Sequence, residues 1–492
     1  MDKNVRQAWG ENTLKSFIDR TTMYRLMLYY LLILFAVATF LYDPLALIWS
    51  ALVITAFAWL ADILFARIFG AVSNRESIFI TALVLVFIMS PVAFTDIAGS
   101  IALIVIAAAA AASKYILAIG KKHIFNPAAI AAVLSAFVLG IPATWWVAGS
   151  IVLLSFVCIG GLIVVYKLRR FDLILSFGIS AFVTVALTSS NPIFGIQEAL
   201  FYLPLFFFTF IMLTEPQTTP PTRSLRIMCG ALVGLLFIPA MHIGSFYFSP
   251  ELALIIGNLF SYFVSPKGRA VLTLVGRRPL ASGIYEYLFR PDRHLHFKPG
   301  QYLEWTLGEV PLDNRGNRRF FTIASAPEDE EVALGVRFYD KPSAFKRTLA
   351  NLPVNGAISV ASLGGDFVMP RDKERKLAFL AGGIGVTPFA SMARHCIASG
   401  ENRDATLLYA SKADDEIAYR DVFARAEHFG WRTLYQIGII DAELIKREVP
   451  DYAERLFYIS GPPGMVDAMK RVLLNLGVSR FNIKTDFFPG LA

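Results

Sequence analysis

Hydrophobic residues follow two patterns along the chain, and the change comes near residue 265. Before it, long apolar runs alternate with short polar loops. A helix needs roughly 20 apolar residues to cross a membrane, and the sequence predicts ten such helices, at about 23–42, 45–66, 77–90, 97–113, 127–142, 145–166, 172–188, 198–214, 225–241 and 250–264. After it, short alternating runs predict antiparallel strands as far as Pro370, and a strand–helix alternation then predicts a parallel sheet. The predicted fold is a polytopic α-helical membrane bundle joined to an antiparallel β-barrel domain and an α/β domain.

Basic residues are confined to alternate loops of the first part. The loops around Pro44, Pro91, Pro142, Asn191 and His242 contain no Lys or Arg. Because cytoplasmic loops are enriched in positive charge, ten spans with both chain ends in the cytoplasm fit this pattern. The sequence therefore predicts a multi-pass protein of a bacterial-type inner membrane, surrounded by lipid, with its second part in the cytoplasm.

Composition narrows the classes of protein that the chain can represent. Of its 492 residues, 55% are hydrophobic and 17% are charged, which excludes an entirely soluble protein. The three cysteines lie far apart without a Cys-x-x-Cys pair, so this chain cannot assemble a four-thiolate iron–sulfur or zinc site. The first part has two histidines, His123 and His242, too few for the paired-histidine haems of a ferric reductase. We expect no metal site and no nucleic-acid partner.

Two loops of the first part carry specific polar residues. The sequence H-I-F-N-P-A-A, at His123–Ala129, places Asn126 where it can cap the following helix. The sequence L-T-E-P-Q-T-T-P-P-T, at Leu213–Thr222, has three prolines that exclude a helix, and it presents Glu215 and four threonines. A helix cap and a rigid turn would account for these loops, and a ligand site is the alternative interpretation.

Ten spans with F-N-P-A-A before the fifth and T-E-P-Q-T-T-P after the eighth resemble the NqrB/RnfD family, the membrane subunits of the sodium-pumping NADH:quinone reductase and the Rnf complex. The resemblance covers about residues 20–265. Members of that family hold flavin in the membrane, commonly FMN esterified to a threonine in a Ser-Gly-Ala-Thr sequence, whereas this chain reads T-S-S-N-P-I-F-G at Thr188–Gly195. The resemblance therefore implies a second flavin bound non-covalently, FMN or riboflavin, or a quinone, near Asn126 and Glu215.

Three motifs of the second part carry candidate chemistry. The strand R-R-F-F-T-I-A-S, at Arg318–Ser325, supplies a cation, aromatic rings and a hydroxyl, as a flavin dinucleotide requires, although an ordinary amphipathic strand has the same pattern. The turn G-G-I-G-V-T-P-F-A-S, at Gly382–Ser391, follows an apolar strand and precedes a helix, so backbone N–H groups there can approach a phosphate pair. The segment Y-I-S-G-P-P-G-M-V, at Tyr458–Val466, repeats this strand–turn–helix pattern.

In this order and spacing, the three motifs resemble those of the ferredoxin–NADP reductase superfamily, over residues 266–492. The resemblance implies an FAD-containing oxidoreductase that uses NADH or NADPH. It assigns Arg319 to the FAD pyrophosphate, Phe321 to the flavin ring and Thr322 to the flavin N5, with Thr322 and Ser460 as catalytic residues. The other cofactor-binding positions that it implies are Phe320, Ser343, Gly382, Gly383, Gly385, Thr387, Pro388, Gly461, Pro462 and Phe488.

Two positions bear on the details of that chemistry. Where many members have Cys-Gly-Pro, this chain has Ser460, whose hydroxyl can still form a hydrogen bond near the path of the hydride. Ser411 and Lys412 follow the strand T-L-L-Y-A and could receive a 2′-phosphate, but a lysine is also ordinary on a surface. The choice between NADH and NADPH therefore stays open.

The expected domains are a cytoplasmic N-terminal segment (1–22), a membrane domain (23–265), an FAD-binding β-barrel domain (266–370) and an NAD(P)-binding domain (371–492). We expect oxidation of cytoplasmic NAD(P)H through FAD, with electrons passing into or across the membrane to a quinone, a flavin or an extracytoplasmic redox partner. Two alternatives stay open. In the first, the helical bundle is a transporter that carries a redox-regulatory domain. In the second, the bundle only anchors a reductase that serves a soluble acceptor.

Overall fold

The computed structural model describes residues 18, 21–70, 75–119, 122–238, 240–265, 269–308 and 317–487. The chain divides into two compact units, within Asn12–Gly268 and within Arg269–Ala492. We call them the helical unit and the sheet unit, and each is described by itself.

The helical unit consists of α-helices joined by short loops. Two of its loops are small antiparallel hairpins, β1 (Ala118–Ile119) with β2 (Lys122–His123), and β3 (His242–Ile243) with β4 (Phe246–Tyr247). A π-helical turn extends the helix that begins at Pro127 to Leu139, and another extends the helix that begins at Leu205 to Leu213. The helices are α1 (Met23–Leu41), α2 (Pro44–Ile68), α3 (Arg75–Ile88), α4 (Ile97–Ile116), α5 (Pro127–Leu134), α6 (Ile151–Leu168), α7 (Phe171–Thr188), α8 (Pro192–Phe201), α9 (Leu205–Phe207), α10 (Arg223–Phe237) and α11 (Pro250–Val264).

Five helices, α1, α2, α4, α6 and α7, are long and apolar enough to cross a membrane. They become six if α8 and α9, which meet at 63°, are counted as one broken span. Each of the ten predicted segments overlaps a helix, but the segment predicted at 198–214 is bent and not straight. Pro204 lies in the break, where its ring and its missing N–H interrupt helical hydrogen bonding.

Local sequence explains where these helices begin, and their surfaces explain their surroundings. Asp43 accepts hydrogen bonds from the first turn of α2, and Asn126 accepts them from the first turn of α5, each directly before a proline. Large apolar side chains face outward, among them Phe40 at 89% exposure and Leu187 at 81%. Such a surface suits hydrocarbon better than water.

The sheet unit begins with an antiparallel lobe. Its six strands lie in the order β8-β7-β10-β5-β6-β9, and every neighbouring pair is antiparallel. The sheet curls until its two edges meet, where the backbone N–H of Ala324 donates to Ala333 O at 2.9 Å. Trp305 and Phe289 fill the interior. The elements are β5 (Ala270–Ala281), β6 (Ile284–Pro291), β7 (Tyr302–Thr306), β8 (Arg318–Thr322), β9 (Val332–Arg337), α12 (Ala344–Ala350) and β10 (Ala357–Gly364).

The parallel lobe follows. Its five strands lie in the order β13-β12-β11-β14-β15, and all four neighbouring pairs are parallel. Every residue of the central strand β11 is buried, as expected of a strand covered on both faces. The elements are β11 (Leu377–Gly382), α13 (Thr387–Ser399), β12 (Ala405–Ser411), α14 (Arg420–Ala426), β13 (Trp431–Ile437), α15 (Ala442–Glu448), β14 (Leu456–Ser460), α16 (Pro463–Asn475) and β15 (Ile483–Thr485).

Candidate functional site

Arg319 and Phe321 lie on the same face of β8, since successive side chains of a strand alternate. Both meet Phe345 of α12: the Arg319 Cζ lies 5.4 Å from the Phe345 ring centroid, and the Phe321 centroid lies 5.9 Å from it. Two residues before Phe345, the Ser343 hydroxyl caps α12 by accepting a hydrogen bond from Lys346 N at 3.3 Å. Phe345 therefore brings together the predicted residues Arg319 and Phe321, while Ser343 lies two residues before it at the start of α12.

Phe320 and Thr322 lie on the opposite face of β8. Both are buried, and both adjoin Tyr302 of β7, which is the register partner of Thr322 and lies 5.6 Å from Phe320 between ring centroids. The Thr322 hydroxyl and the Arg319 guanidinium therefore lie on opposite sides of the strand.

The first glycine turn connects β11 to α13. Gly383 has a φ of +54°, in the left-handed region that favours glycine. A Cβ on Gly385 would lie 2.5 Å from Gly461 Cα and 2.7 Å from Ser460 C. Because those neighbours are backbone atoms, only glycine fits at residue 385.

The second glycine turn connects β14 to α16 and lies beside the first. Ala381 of β11 pairs in register with Ser460 of β14, so both turns emerge at the carboxyl ends of neighbouring parallel strands. A Cβ on Gly382 would lie 3.3 Å from Pro462 Cδ and would also meet the sulfur of Met465. The predicted positions Gly382, Gly383, Gly385, Gly461 and Pro462 thus form one backbone surface, at the edge where α/β sheets bind ligands.

Arg337, at the end of β9, points toward the first glycine turn. Its Nη1 lies 3.7 Å from the position that a Cβ on Gly383 would occupy, and its Nη2 pairs with Glu416. That hydrogen bond lowers the pKa of Glu416 and raises the pKa of Arg337. Arg337 was not predicted from the sequence, because nothing in the neighbouring residues distinguishes it from a surface arginine.

These residues fit the phosphates of a dinucleotide. Helix α13 is 13 residues long and begins at Thr387, followed by Pro388, so its positive N-terminal end faces the first turn. Bare glycine backbone gives phosphate oxygens access to N–H groups, and Arg337 adds a guanidinium whose charge is partly balanced by Glu416. The site has the donors that an anionic pyrophosphate requires.

The residues after β12 carry charges of both signs. Ser411 ends the strand and Lys412 follows it. Both add to the lowering of the Glu416 pKa, after the larger effect of Arg337. A carboxylate therefore lies beside the two residues predicted to receive a 2′-phosphate.

Ser460 is buried and has a carboxylate partner. Its hydroxyl donates to Asp486 Oδ2 at 3.0 Å, and Asp486 is tied to β14 by its backbone N–H, which donates to Ile459 O at 2.9 Å. Asp486 was not predicted, because 26 residues separate it from Ser460. Phe488, the predicted aromatic residue near the C-terminus, lies outside the described residues.

The two polar motifs of the helical unit meet each other. Asn126 Nδ2 donates to Glu215 Oε2 at 3.0 Å, while Asn126 Oδ1 caps α5. The same carboxylate accepts a hydrogen bond from Thr218 Oγ1 at 3.2 Å, and its other oxygen lies 3.5 Å from His123 Nε2. The helix cap and the rigid turn are both present, and they form one polar cluster.

That cluster lies at the wall of a pocket of about 70 Å³. Asn126 and Glu215 line it together with Ser77 and Thr81, and the rest of the lining is mostly apolar and includes Met23, Met27 and Met212. Such a mixture of apolar walls and a few polar groups is typical of small-molecule sites. Within the described ranges, no group of three or more His, Cys, Asp or Glu side chains is placed to hold a metal ion.

Known proteins resemble the sheet unit in sequence. Residues 379–471 match the family described as "Oxidoreductase NAD-binding domain". The NAD(P)H-flavin reductase of Vibrio harveyi is 32% identical over 167 residues, which are 31% of this chain and 67% of that protein. The ferredoxin reductase component of a Mycobacterium tuberculosis 3-ketosteroid-9-alpha-monooxygenase is 28% identical over 211 residues, 41% of this chain. A flavohemoprotein of Oceanobacillus iheyensis is 23% identical over 42% of this chain. The chain spans 57% and 56% of the last two proteins.

Among solved structures, the FAD/NAD-binding domain of a Vibrio cholerae nitric oxide dioxygenase matches 44% of this chain and 98% of its own, with a TM-score of 0.40 and 21% identity. The cytochrome b5 reductase domain of Ulva prolifera nitrate reductase matches 45% of this chain and 98% of its own, with a TM-score of 0.41 and 18% identity.

Proposed function

Because the C-terminal part of the chain belongs to the NAD(P)H-flavin reductase family, we propose that it oxidises NADH or NADPH through a bound FAD. The proposed domains are residues 266–370 for FAD and residues 371–492 for NAD(P)H. The observation that carries the proposal is the glycine surface beside Arg337, which can take a coenzyme pyrophosphate. The sequence prediction of an NAD(P)H-dependent oxidoreductase agrees with this family.

The coenzyme is proposed to lie across the two glycine turns. Gly383 and Gly385 let its pyrophosphate approach the backbone, while Thr387 and Pro388 place the start of α13 behind it. The Arg337 guanidinium, paired with Glu416, would donate hydrogen bonds to it. Gly461 and Pro462 border the nicotinamide end, where the Ser460 hydroxyl is held in one orientation by Asp486.

FAD is proposed to lie along β8. Arg319, which lies against Phe345 of α12, and Ser343, which caps the same helix, would hold its pyrophosphate. Phe321, on the face of β8 that carries Arg319, and Phe320, on the other face, would line different parts of the FAD site, and Phe488 would cover the ring system. The Thr322 hydroxyl, on the face of β8 opposite Arg319, would offer a hydrogen bond to the flavin N5. When bound, FAD supplies the chemistry of accepting a hydride and releasing electrons singly.

Residues 23–265 are proposed to form the membrane domain that receives these electrons, with ten spans, both ends in the cytoplasm and the NqrB/RnfD-like architecture. A second flavin or a quinone would bind where Asn126 and Glu215 meet, since that pocket combines hydrogen-bonding groups with apolar walls. A ring larger than the pocket requires side chains to move, and methionines such as Met23 and Met212 are flexible enough to do so.

Flavin and quinone content of the detergent-purified full-length chain tests both halves of this proposal. Acid extraction and chromatography should give one FAD and one second redox group for each chain. Glu215→Gln should lose the second group and keep FAD, because it removes the charge that organises Asn126 and Thr218. Glu198→Gln, an exposed carboxylate of the same unit, is the matched control and should keep both.

The reductase assignment and the membrane electron carrier would be contradicted by different results. Protein that binds no FAD would contradict the reductase assignment. One FAD without any second flavin or quinone would contradict an electron carrier in the membrane domain.

A second candidate is a membrane-anchored reductase that serves a soluble acceptor. Two relatives are named as reductase components of monooxygenases, the 3-ketosteroid enzyme above and a glycine betaine monooxygenase of Chromohalobacter salexigens. In liposomes, oxidation of NAD(P)H with a soluble dye but with neither a quinone nor an acceptor in the lumen would favour this candidate over transfer through the membrane.

A further inference from the structure

One face of helix α13 joins the two lobes of the sheet unit. Thr387, Ser391 and Arg394 are spaced four and three residues apart, which places them on the same side of the helix. Thr387 begins the helix directly after the first glycine turn. The turn is therefore fixed relative to whatever this face contacts.

Ser391 and Arg394 donate hydrogen bonds to the chain just beyond β8. Ser391 Oγ donates to Ser325 O at 2.7 Å, and Arg394 Nη1 donates to Ala324 O at 2.8 Å. Ser391 and Ser325 are both buried. The two accepting residues come directly after Ile323, which follows Thr322. These hydrogen bonds thus connect the helix that follows the first glycine turn to the end of β8, close to Thr322.

Glu286 of β6 fixes the orientation of Arg394. The two side chains form a bidentate pair, with Nη1–Oε1 at 3.0 Å and Nη2–Oε2 at 3.2 Å. The Glu286 side chain is 0% exposed and that of Arg394 is 11% exposed. A buried, two-pronged pair of this kind restricts the guanidinium to one geometry.

Gly335 of β9, on the strand next to β6, also lies against α13. It lies opposite Glu286 in the β6–β9 register. A Cβ at residue 335 would lie 2.8 Å from Thr387 Cγ2 and would also collide with the Tyr419 hydroxyl. Burial, and then the Glu286 carboxylate, raise the pKa of Tyr419 well above its usual value. The antiparallel lobe therefore packs so closely against α13 that residue 335 has no space for a methyl group.

We propose that Ser391 and Arg394 are positioning residues, which hold the first glycine turn at a fixed depth against β8 and so set the distance over which the hydride moves. The inference rests on the proposed function, because it concerns the same hydride transfer from coenzyme to FAD. Both residues act through backbone carbonyls and Glu286. Since a misplacement of about 1 Å can slow such a step about a hundredfold, even a small shift of the turn should be measurable.

The test compares Ser391→Ala and Arg394→Lys with the wild type in the full-length protein. In anaerobic stopped-flow experiments, the limiting rate of flavin reduction should fall about tenfold in each, while the dissociation constant of the coenzyme changes less than about twofold. Hydrogen–deuterium exchange gives a readout that is independent of activity. Amides of the Gly383–Val386 turn should exchange faster in both variants, even without coenzyme.

Arg278→Gln is the matched control. Arg278 pairs with the same Glu286 carboxylate, with Nη2–Oε2 at 2.7 Å, but it comes from the neighbouring strand β5 of the same lobe and is 49% exposed. It therefore contributes to the charge balance of Glu286 without joining the lobes. Reduction rate and turn exchange should match the wild type in this variant.

Wild-type rates and exchange in Ser391→Ala and Arg394→Lys would overturn the inference. So would equal slowing in Arg278→Gln, which would indicate a general loss of stability. If Arg394→Lys fails to fold, Ser391→Ala decides, since it removes a single hydroxyl. A wild-type flavin that neither coenzyme reduces would instead contradict the proposed function, and the exchange measurement would still test the positioning.

Discussion

At the scale of single residues, the site depends on a glycine whose neighbours leave no space for a side chain. Gly385 lies against the backbone of the second turn, where no side chain can yield. The sequence motif predicted a turn at this position. Only the fold shows why a glycine is required, because Gly385 lies against Gly461 in the turn that follows the neighbouring strand.

Gly385→Ala should force the two turns apart. Overpacking of this kind costs about 1–3 kcal/mol of stability, and the displaced backbone should weaken coenzyme binding roughly tenfold, or about 1.4 kcal/mol. Thermal unfolding and coenzyme titration of the purified protein measure the two effects.

Gly276→Ala is the control for that substitution, because a Cβ there meets nothing within 4 Å. Equal losses in the two variants would contradict a specific role for the contact between the turns.

At the scale of elements, two helices of the helical unit begin in the same way and differ in what the cap contacts. Asn126 and Asn191 each precede a proline and each accept a hydrogen bond from the first turn of the helix, α5 or α8. Asn126 additionally donates to Glu215. The sequence predicted the Asn126 cap from the Asn-Pro pair, while the contact with Glu215 depends on how α5 packs.

Asn126→Ala and Asn191→Ala should each cost about 1 kcal/mol through the lost cap. Only Asn126→Ala also removes a hydrogen bond to a carboxylate, a contact of about 1.5–3 kcal/mol. Quinone-dependent NAD(P)H oxidation in liposomes should therefore fall roughly tenfold in Asn126→Ala and stay near the wild type in Asn191→Ala. Equal activities in Asn126→Ala and Asn191→Ala would show that the polar cluster has no role in electron transfer.

At the scale of the whole molecule, the distribution of basic residues predicts how the chain crosses the membrane. Among the described residues, five or six helices are long and apolar enough to cross a membrane, and the ten-span arrangement stays a prediction. Under that arrangement, Thr95 and Ser190 lie outside and Ser224 lies in the cytoplasm, all at exposed positions.

Single-cysteine labelling in intact cells tests this arrangement. Thr95→Cys and Ser190→Cys should react with a membrane-impermeant maleimide, and Ser224→Cys should react only after permeabilisation. The unmodified chain, with buried Cys229 and Cys396 and a partly buried Cys158, gives the background. Labelling of Ser224→Cys in intact cells would contradict cytoplasmic ends.

The sequence alone determined whatever depends on local spacing. Apolar runs marked the helices, the Asn126–Pro127 pair marked the start of one helix, and three ordered motifs indicated the reductase family, because each of these signals lies within a few consecutive residues. The helix break at Pro204 was missed, although a proline was there to indicate it.

Only the tertiary structure decided which distant residues meet. Arg337 and Glu416 are 79 residues apart, Asn126 and Glu215 are 89 apart, and Glu286 and Arg394 are 108 apart. Each pair is made by packing between elements, which one sequence does not encode in any local pattern. The chemistry of the motifs was therefore predictable, whereas the contacts that orient them were fixed by how lobes and helices fit together.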